Sequence, residues 1–150
     1  MSTRTYTSRR ANILRALAEK LKDIDGSGAF LTDLQNNVHP RLKFWDEVVE
    51  FPAIHLNAGS ETREYQTAGY KDRFLQVTIR CYVNEEDAQV ALGALLEDVE
   101  TVLEKNSRLT YFDSTFTKNA TQQITILSID TDEGVLEPLG VGEMIIEVRY

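Results

Sequence analysis

Cysteine is nearly absent from this chain: Cys81 stands alone, so no disulfide can form within it, and a reducing compartment is its expected home. Histidine is almost as scarce. His39 and His55 are the two present, with no HxH or HxxxH spacing, which leaves a zinc site too few ligands. No stretch approaches the roughly 18 consecutive apolar residues that span a bilayer, and the segment Met1-Ser2-Thr3-Arg4-Thr5-Tyr6-Thr7 lacks the apolar core of a signal peptide. The expectation is a protein made inside the cell, with no membrane partner. There is no GxSxG elbow, no P-loop and no GxGxxG turn, so neither a catalytic residue nor a cofactor is expected. Positive charge is in short supply too. Lys and Arg total 16 against 24 Asp and Glu, for a net charge of −8. That excludes a free-standing nucleic-acid binder, which needs a basic patch to release counterions. An acidic surface would instead repel DNA that only has to pass by.

What is present suits one globular domain over residues 1–150. Apolar residues make up 42% and charged residues 27%, the ordinary range for a folded chain. A domain of this length buries roughly 68–70% of its unfolded surface, enough for a core without metal or disulfide. Residues 8–23 read as a helix, with Ile13, Leu14, Leu17 and Leu21 at three- and four-residue steps, Ser8 as N-cap and Asp25-Gly26-Ser27-Gly28 as breaker. Residues 29–40 suggest a short strand entering a turn. Residues 43–48 suggest one helical turn, and residues 51–56 a strand opened by Pro52. Residues 57–71 are polar and contain Gly59 and Gly69, so a long loop or mobile hairpin tip is expected.

The clearest strand is 74–83, where Leu75, Val77, Ile79, Cys81 and Val83 share one face, and Gln76, Thr78, Arg80 and Tyr82 the other. Cys81 on the apolar face reads as a small core residue. A second helix is expected from Glu85 to about Lys105, capped by Asn84, with Glu85, Glu86 and Asp87 in its first turn. Two strands follow, 123–130 and 142–150, separated by turn residues. The expected fold is α+β, a mixed or antiparallel sheet of about four to five strands with two main helices packed on one face.

The segment from Asp23 to Leu34 nearly matches a calcium-binding EF-hand loop, with Asp23, Asp25 and Ser27 alternating, then Gly28 and Phe30. It ends in Leu34, where calcium coordination needs a bidentate glutamate, and no second copy exists to pair with it. A helix stop followed by a polar turn is the stronger reading, so no metal is expected. The histidines read as surface or sheet-edge residues, and the many carboxylates as a solvated acidic face. Two segments suggest contact with a partner. Phe44 and Trp45, flanked by Arg41, Lys43, Asp46 and Glu47, fit either an exposed aromatic anchor or a seal over the sheet. The loop of residues 60–73 carries Arg63, Tyr65, Tyr70 and Arg73, residue types enriched at interface hot spots, in a setting too polar for a core.

The passage Val38-His39-Pro40-Arg41-Leu42-Lys43-Phe44-Trp45-Asp46-Glu47-Val48, then Phe51-Pro52-Ala53-Ile54-His55-Leu56, resembles the early part of phage tail terminator (tail completion) proteins. So does the order of a Tyr-rich loop, strand 74–83 and an acidic second helix. The resemblance implies a structural virion protein at the tail–neck junction, made in the host cytoplasm. It implies a homo-oligomer, a hexameric ring, that caps the tail tube, ends tube polymerisation and offers a joining surface to the head-neck connector. Genomic DNA would pass through its lumen without sequence-specific binding. The family supplies no residue motif to carry over, so the interface candidates remain Phe44, Trp45, Arg63, Tyr65, Tyr70 and Arg73, with the basic segment of Arg4, Arg9 and Arg10 able to meet an acidic neighbour. The rival readings are another phage neck, connector or tube protein, and a calcium-responsive module using the Asp23–Asp33 loop. A small enzyme with a carboxylate pair at a subunit boundary is the third.

Overall fold

The computed structural model describes residues 8–150; Arg4 lies outside them. The order of elements is α1 (Arg9–Leu21), β1 (Val38–His39), β2 (Ala53–Tyr65), β3 (Lys71–Asn84), α2 (Ala88–Lys105), β4 (Thr110–Phe112), β5 (Lys118–Ala120), β6 (Gln123–Thr131) and β7 (Leu139–Arg149). The fold is α+β. Five strands form a mixed sheet in the order β1-β2-β3-β7-β6, and β4 with β5 makes a separate two-stranded ribbon. Only the β1–β2 pair is parallel.

Both helices lie on one face of the sheet. The Ser8 hydroxyl accepts the Ala11 N–H at 3.2 Å and starts α1. Its apolar stripe, Ile13, Leu14, Leu17, Ala18 and Leu21, is buried. Gly26, at φ 78°, turns the chain away after the helix, a conformation glycine adopts without strain. From α2, Leu92, Leu95, Val99 and Leu103 meet the same core. Beneath them the strands contribute alternate residues: Ile54 and Leu56, then Leu75, Val77, Ile79, Cys81 and Val83, then Met144, Ile146 and Val148. Cys81 is fully buried in this layer, and desolvation pushes its thiol up to about 12, so it behaves as an apolar residue.

β7 carries glycine where α2 comes closest. A Cβ on Gly140 would stand 2.7 Å from Val83 Cγ2 and 3.3 Å from the Ala88 carbonyl oxygen, and one on Gly142 3.1 Å from Leu92 Cδ1. The Val83 methyl belongs to a stiff β-branched side chain and cannot swing clear. Gly140→Ala is therefore expected to lower stability by about 1–3 kcal/mol through overpacking, read as a lower urea midpoint with an unchanged slope.

Several boundaries differ from the sequence expectation. Residues 57–71 are no loop: β2 continues to Tyr65 and β3 begins at Lys71, with Arg63 paired to Arg73 and Tyr65 to Lys71. Only residues 66–70 turn, through Ala68 at φ 64° and Gly69 at φ 80°. Helix α2 starts at Ala88 because Asn84 is still paired to Leu139, and the Glu85 N–H donates to the Pro138 carbonyl at 3.0 Å. Glu85, Glu86 and Asp87 thus precede the first turn, and Asn84 is no cap. Residues 43–48 form a hydrogen-bonded turn, Glu47 N–H to Phe44 C=O at 2.9 Å, rather than a helix. The ribbon of β4 and β5 had no counterpart in the sequence reading.

Candidate assembly interface

The second face of the sheet is covered only at one end. There a strap of residues 41–52 crosses it and buries Val48, Ala53 and Tyr82. The Tyr82 hydroxyl donates to the Lys43 carbonyl at 2.7 Å, so Tyr82, expected on the polar face, is on that face but sealed. His55, expected at the surface, is 2% exposed beneath the same strap. Its Nδ1 lies 3.1 Å from the Arg41 carbonyl. The strap presents the aromatic pair outward, Phe44 being 67% and Trp45 50% exposed. Neither belongs to the buried clusters of this chain's core.

The far end of the β2–β3 hairpin projects beyond the helices. A bulge between Ala58 and Glu61 shifts the alternation of β2 by one residue. Glu61, Arg63 and Tyr65 therefore fall on the face of Leu75 and Val77 rather than opposite it. The Glu61 carboxylate accepts from the Tyr150 hydroxyl and from Arg63 Nε, the latter at 2.9 Å. Burial raises the Glu61 acid, and these two donors outweigh it, leaving it below the ordinary value. Burial first, then the hydrogen bond to Glu61 and its charge, push Tyr150 up to about 12. Arg73 lies over the Tyr150 ring at 5.6 Å.

Of the loop candidates, Arg63 and Arg73 are thus engaged within the subunit, whereas Tyr65, beside Arg63, and Tyr70 are largely exposed at the tip. Arg10 is engaged as well, its guanidinium donating to the Gly59 carbonyl at the bulge. On the other face, Arg149 pairs with Asp72 at 2.9 Å and Arg80 with Glu143 at 3.1 Å.

Sequence reasoning missed β6 as a surface. Its inner edge pairs with β7, and among the described residues its outer edge has no strand beside it. The helices cover β3 and β7 but stop short of β6. Ile124 and Ile126 are half-buried, Ile129 is 43% exposed, and Leu127, at a bulge between Ile126 and Ser128, is 52% exposed. This edge strand carries neither lysine nor proline, and its bulge is the one device on it of the kind that blunts exposed edges. At the opposite side, β1 pairs with Ile54 and His55 only, so among the described residues no strand pairs with the outer edge of β2 over residues 57–65, where Arg10 meets the Gly59 carbonyl. That stretch equals the nine residues of β6 in length. The signal was available: Ile124, Ile126, Leu127 and Ile129 break strict alternation in the manner of a bulged strand with both faces apolar.

The calcium-like loop is tied down by protein groups. Asp25 accepts from the Ser27 N–H at 3.0 Å and the Ser27 hydroxyl at 2.5 Å, which hold its carboxyl below the usual range. Asp33 accepts from the Gln35 N–H at 2.9 Å. Among the described residues no group of three or more His, Cys, Asp or Glu side chains is placed to share a metal ion, and no helix is long and apolar enough to cross a membrane.

Comparison with known proteins gives three findings. The sequence profile of the family described as Bacteriophage Tail Tube Terminator Protein matches residues 7–150. The tail tube terminator protein p142 of Escherichia phage T5 is 35% identical over 150 residues, covering 94% of this chain and 92% of that one. Among solved structures, a chain of the virion of a native gene transfer agent particle superposes with a TM-score of 0.56 at 12% identity, over 91% of this chain and 96% of that chain. At that identity the likeness speaks for the shared fold.

Proposed function

Because this chain belongs to the bacteriophage tail tube terminator family, we propose that it is a structural subunit of a closed ring that caps the phage tail tube. The ring ends tube polymerisation and presents a joining surface to the head-neck connector. Its role is mechanical rather than enzymatic. The observation that carries the ring is a pair of sheet edges with no strand beside them among the described residues, β6 on one side and residues 57–65 of β2 on the other. Two different edges on opposite sides make a heterologous contact, head to tail, and such contacts form a ring when the rotation closes. The family resemblance favours six copies.

In this reading β6 of one subunit meets the β2 edge of the next. That contact covers Leu127 and Ile129 and brings Tyr65 and Tyr70 at the hairpin tip against a neighbour. Arg63 and Arg73 brace the hairpin from within. Phe44 and Trp45, raised on the strap, face a different virion protein, the tube or the connector. The net charge of −8 suits a lumen through which DNA slides rather than sticks.

The test is the solution mass of the purified protein, together with negative-stain images after mixing with tail tubes. Hexamers, or rings seated at one end of each tube, are the expected result. A monomer that leaves tube ends bare overturns the proposal.

A further inference from the structure

His39 and His55 occupy adjacent, in-register positions on the parallel pair β1 and β2. Their rings stack with centroids 5.0 Å apart and planes 24° from parallel, and Tyr82 meets His55 edge-on at 5.8 Å. The protons can be placed. The Asn37 amide nitrogen donates to the Glu50 and Pro52 carbonyls, each at 3.0 Å, so its oxygen must accept. His39 Nε2, 2.7 Å from that oxygen, therefore carries a hydrogen. His55 Nδ1 must carry one to donate to the Arg41 carbonyl at 3.1 Å. The ring nitrogen open to a further proton is then Nδ1 on His39 and Nε2 on His55. Both rings line a cleft of about 200 Å³, with Asn37, Lys43, Val49 and Glu50.

We propose that this stacked pair is a proton-operated latch on the strap that carries Phe44 and Trp45. In the closed state His55 is neutral and holds the Arg41 carbonyl, while Tyr82 holds the Lys43 carbonyl two residues along. The step is the uptake of one proton from water at His55 Nε2, giving an imidazolium at a site with almost no solvent. His39 from β1 and Lys43 and Arg41 from the strap act against the charged ring, and Arg80, the cross-strand partner of His55, stands beside it on β3. Arg80 is offset by Glu143 of β7, and Glu50 is the one carboxylate that lines the cleft. A buried imidazolium among cations is unstable until water reaches it, and water reaches it when the strap lifts.

The sign follows from the same surroundings. Burial first holds His55 below the ordinary imidazole value of 6.5, and the His39, Lys43 and Arg41 charges add to it. The Arg41 carbonyl, which favours the charged ring, opposes them without prevailing. A histidine kept neutral in the closed state stabilises that state above pH 6.5 and withdraws its support as pH falls below. Lifting the strap would alter the Phe44–Trp45 surface, a consequence that rests on its role as a contact. The latch itself does not need that role.

Trp45 is the single tryptophan of the chain, so its fluorescence reports the strap alone. The full-length protein is titrated from pH 8 to 4.5, with far-UV circular dichroism followed in parallel. A reversible emission change with its midpoint below 6.5 and an unchanged dichroism spectrum is expected. His39→Ala, at an exposed position, should move the midpoint to lower pH, because it removes a neighbouring charge and lets water reach the ring, so that the closed state tolerates the imidazolium better. His55→Gln should abolish the change. If His55→Gln fails to fold, the imidazole resonances of the parent protein, followed by NMR, must titrate at the fluorescence midpoint. A flat emission trace, a midpoint unmoved by His39→Ala, or emission that changes only where dichroism is lost would each overturn the latch.

Discussion

Leu127→Lys with Ile129→Lys on β6 is expected to leave a folded subunit that no longer forms rings or caps tubes. Both side chains are about half exposed at an edge that no other strand covers, so in the lone subunit each ammonium reaches water. Exposed substitutions of this kind change stability by about 0.5 kcal/mol. In the ring each would be pressed against a neighbour's strand. Removing an unpaired charge from water costs about 3–5 kcal/mol, a factor of roughly 100 to several thousand in affinity at every contact. A ring repeats the same contact around its circumference, so the loss compounds and closure fails. Val90→Lys is the control, an apolar-to-lysine change at a residue exposed on α2, away from both edges. It should leave rings intact. Size-exclusion chromatography with light scattering gives the assembly state, tube ends in negative stain give the capping, and urea titration confirms the fold. Rings that persist in the double variant would remove β6 from the interface.

The helices and the central strand were legible because a core lies under them. The stripe of α1, the stripe of α2 and the alternation from Leu75 to Val83 each record one buried side. Where that burial ends, the record ends. Residues 57–65 are paired along one edge only and are mostly exposed beyond Ala58, so their side chains need not alternate, and polar residues with a glycine read as a loop. The backbone ladder to residues 71–78, invisible in side-chain pattern, is what makes them a strand. β6 was seen as a strand but not as a surface, because the bulge at Leu127 breaks the phase by which faces are told apart.

The candidate residues divided for the same reason. Phe44, Trp45, Tyr65 and Tyr70 are exposed, as an interface requires. Arg63 and Arg73 belong to a cluster with Glu61 and Tyr150, and Glu61 and Tyr150 lie 89 residues apart in sequence. No local reading could join them. His55 shows the limit most sharply: its neighbours Ile54 and Leu56 suggested a strand with an outward histidine, and only the strap folded over it makes the site dry.

Asp98 is the residue whose loss should harm the fold itself most. It sits on α2 among Leu95, Val99 and Val102, with 1% of its surface exposed. In sequence it looked like one more carboxylate of an acidic helix. Its oxygens instead accept from the Leu31 N–H at 2.9 and 3.0 Å, the Thr32 N–H at 2.8 Å and the Thr32 hydroxyl at 2.6 Å. They anchor the polar turn that follows α1 onto the second helix, across 66–67 residues of chain. Asp98→Ala would leave backbone and hydroxyl donors facing a cavity on a part-buried surface. Hydrogen bonds to a charged acceptor contribute about 1.5–3 kcal/mol each, and stranded donors add their own desolvation cost. Because these bonds share one acceptor and are not additive, the net loss expected is about 3–5 kcal/mol, comparable to breaking a buried ion pair. For a chain of this size each kcal/mol lowers the melting temperature by roughly 2–4 °C, so a fall of about 6–20 °C is expected in calorimetry. Asp98→Asn keeps one acceptor oxygen and should recover part of that loss, while Thr32→Val, which removes only the hydroxyl bond, should cost about 1 kcal/mol. Equal melting temperatures for Asp98→Ala and the parent would show that the turn and α2 are held together by the apolar core alone.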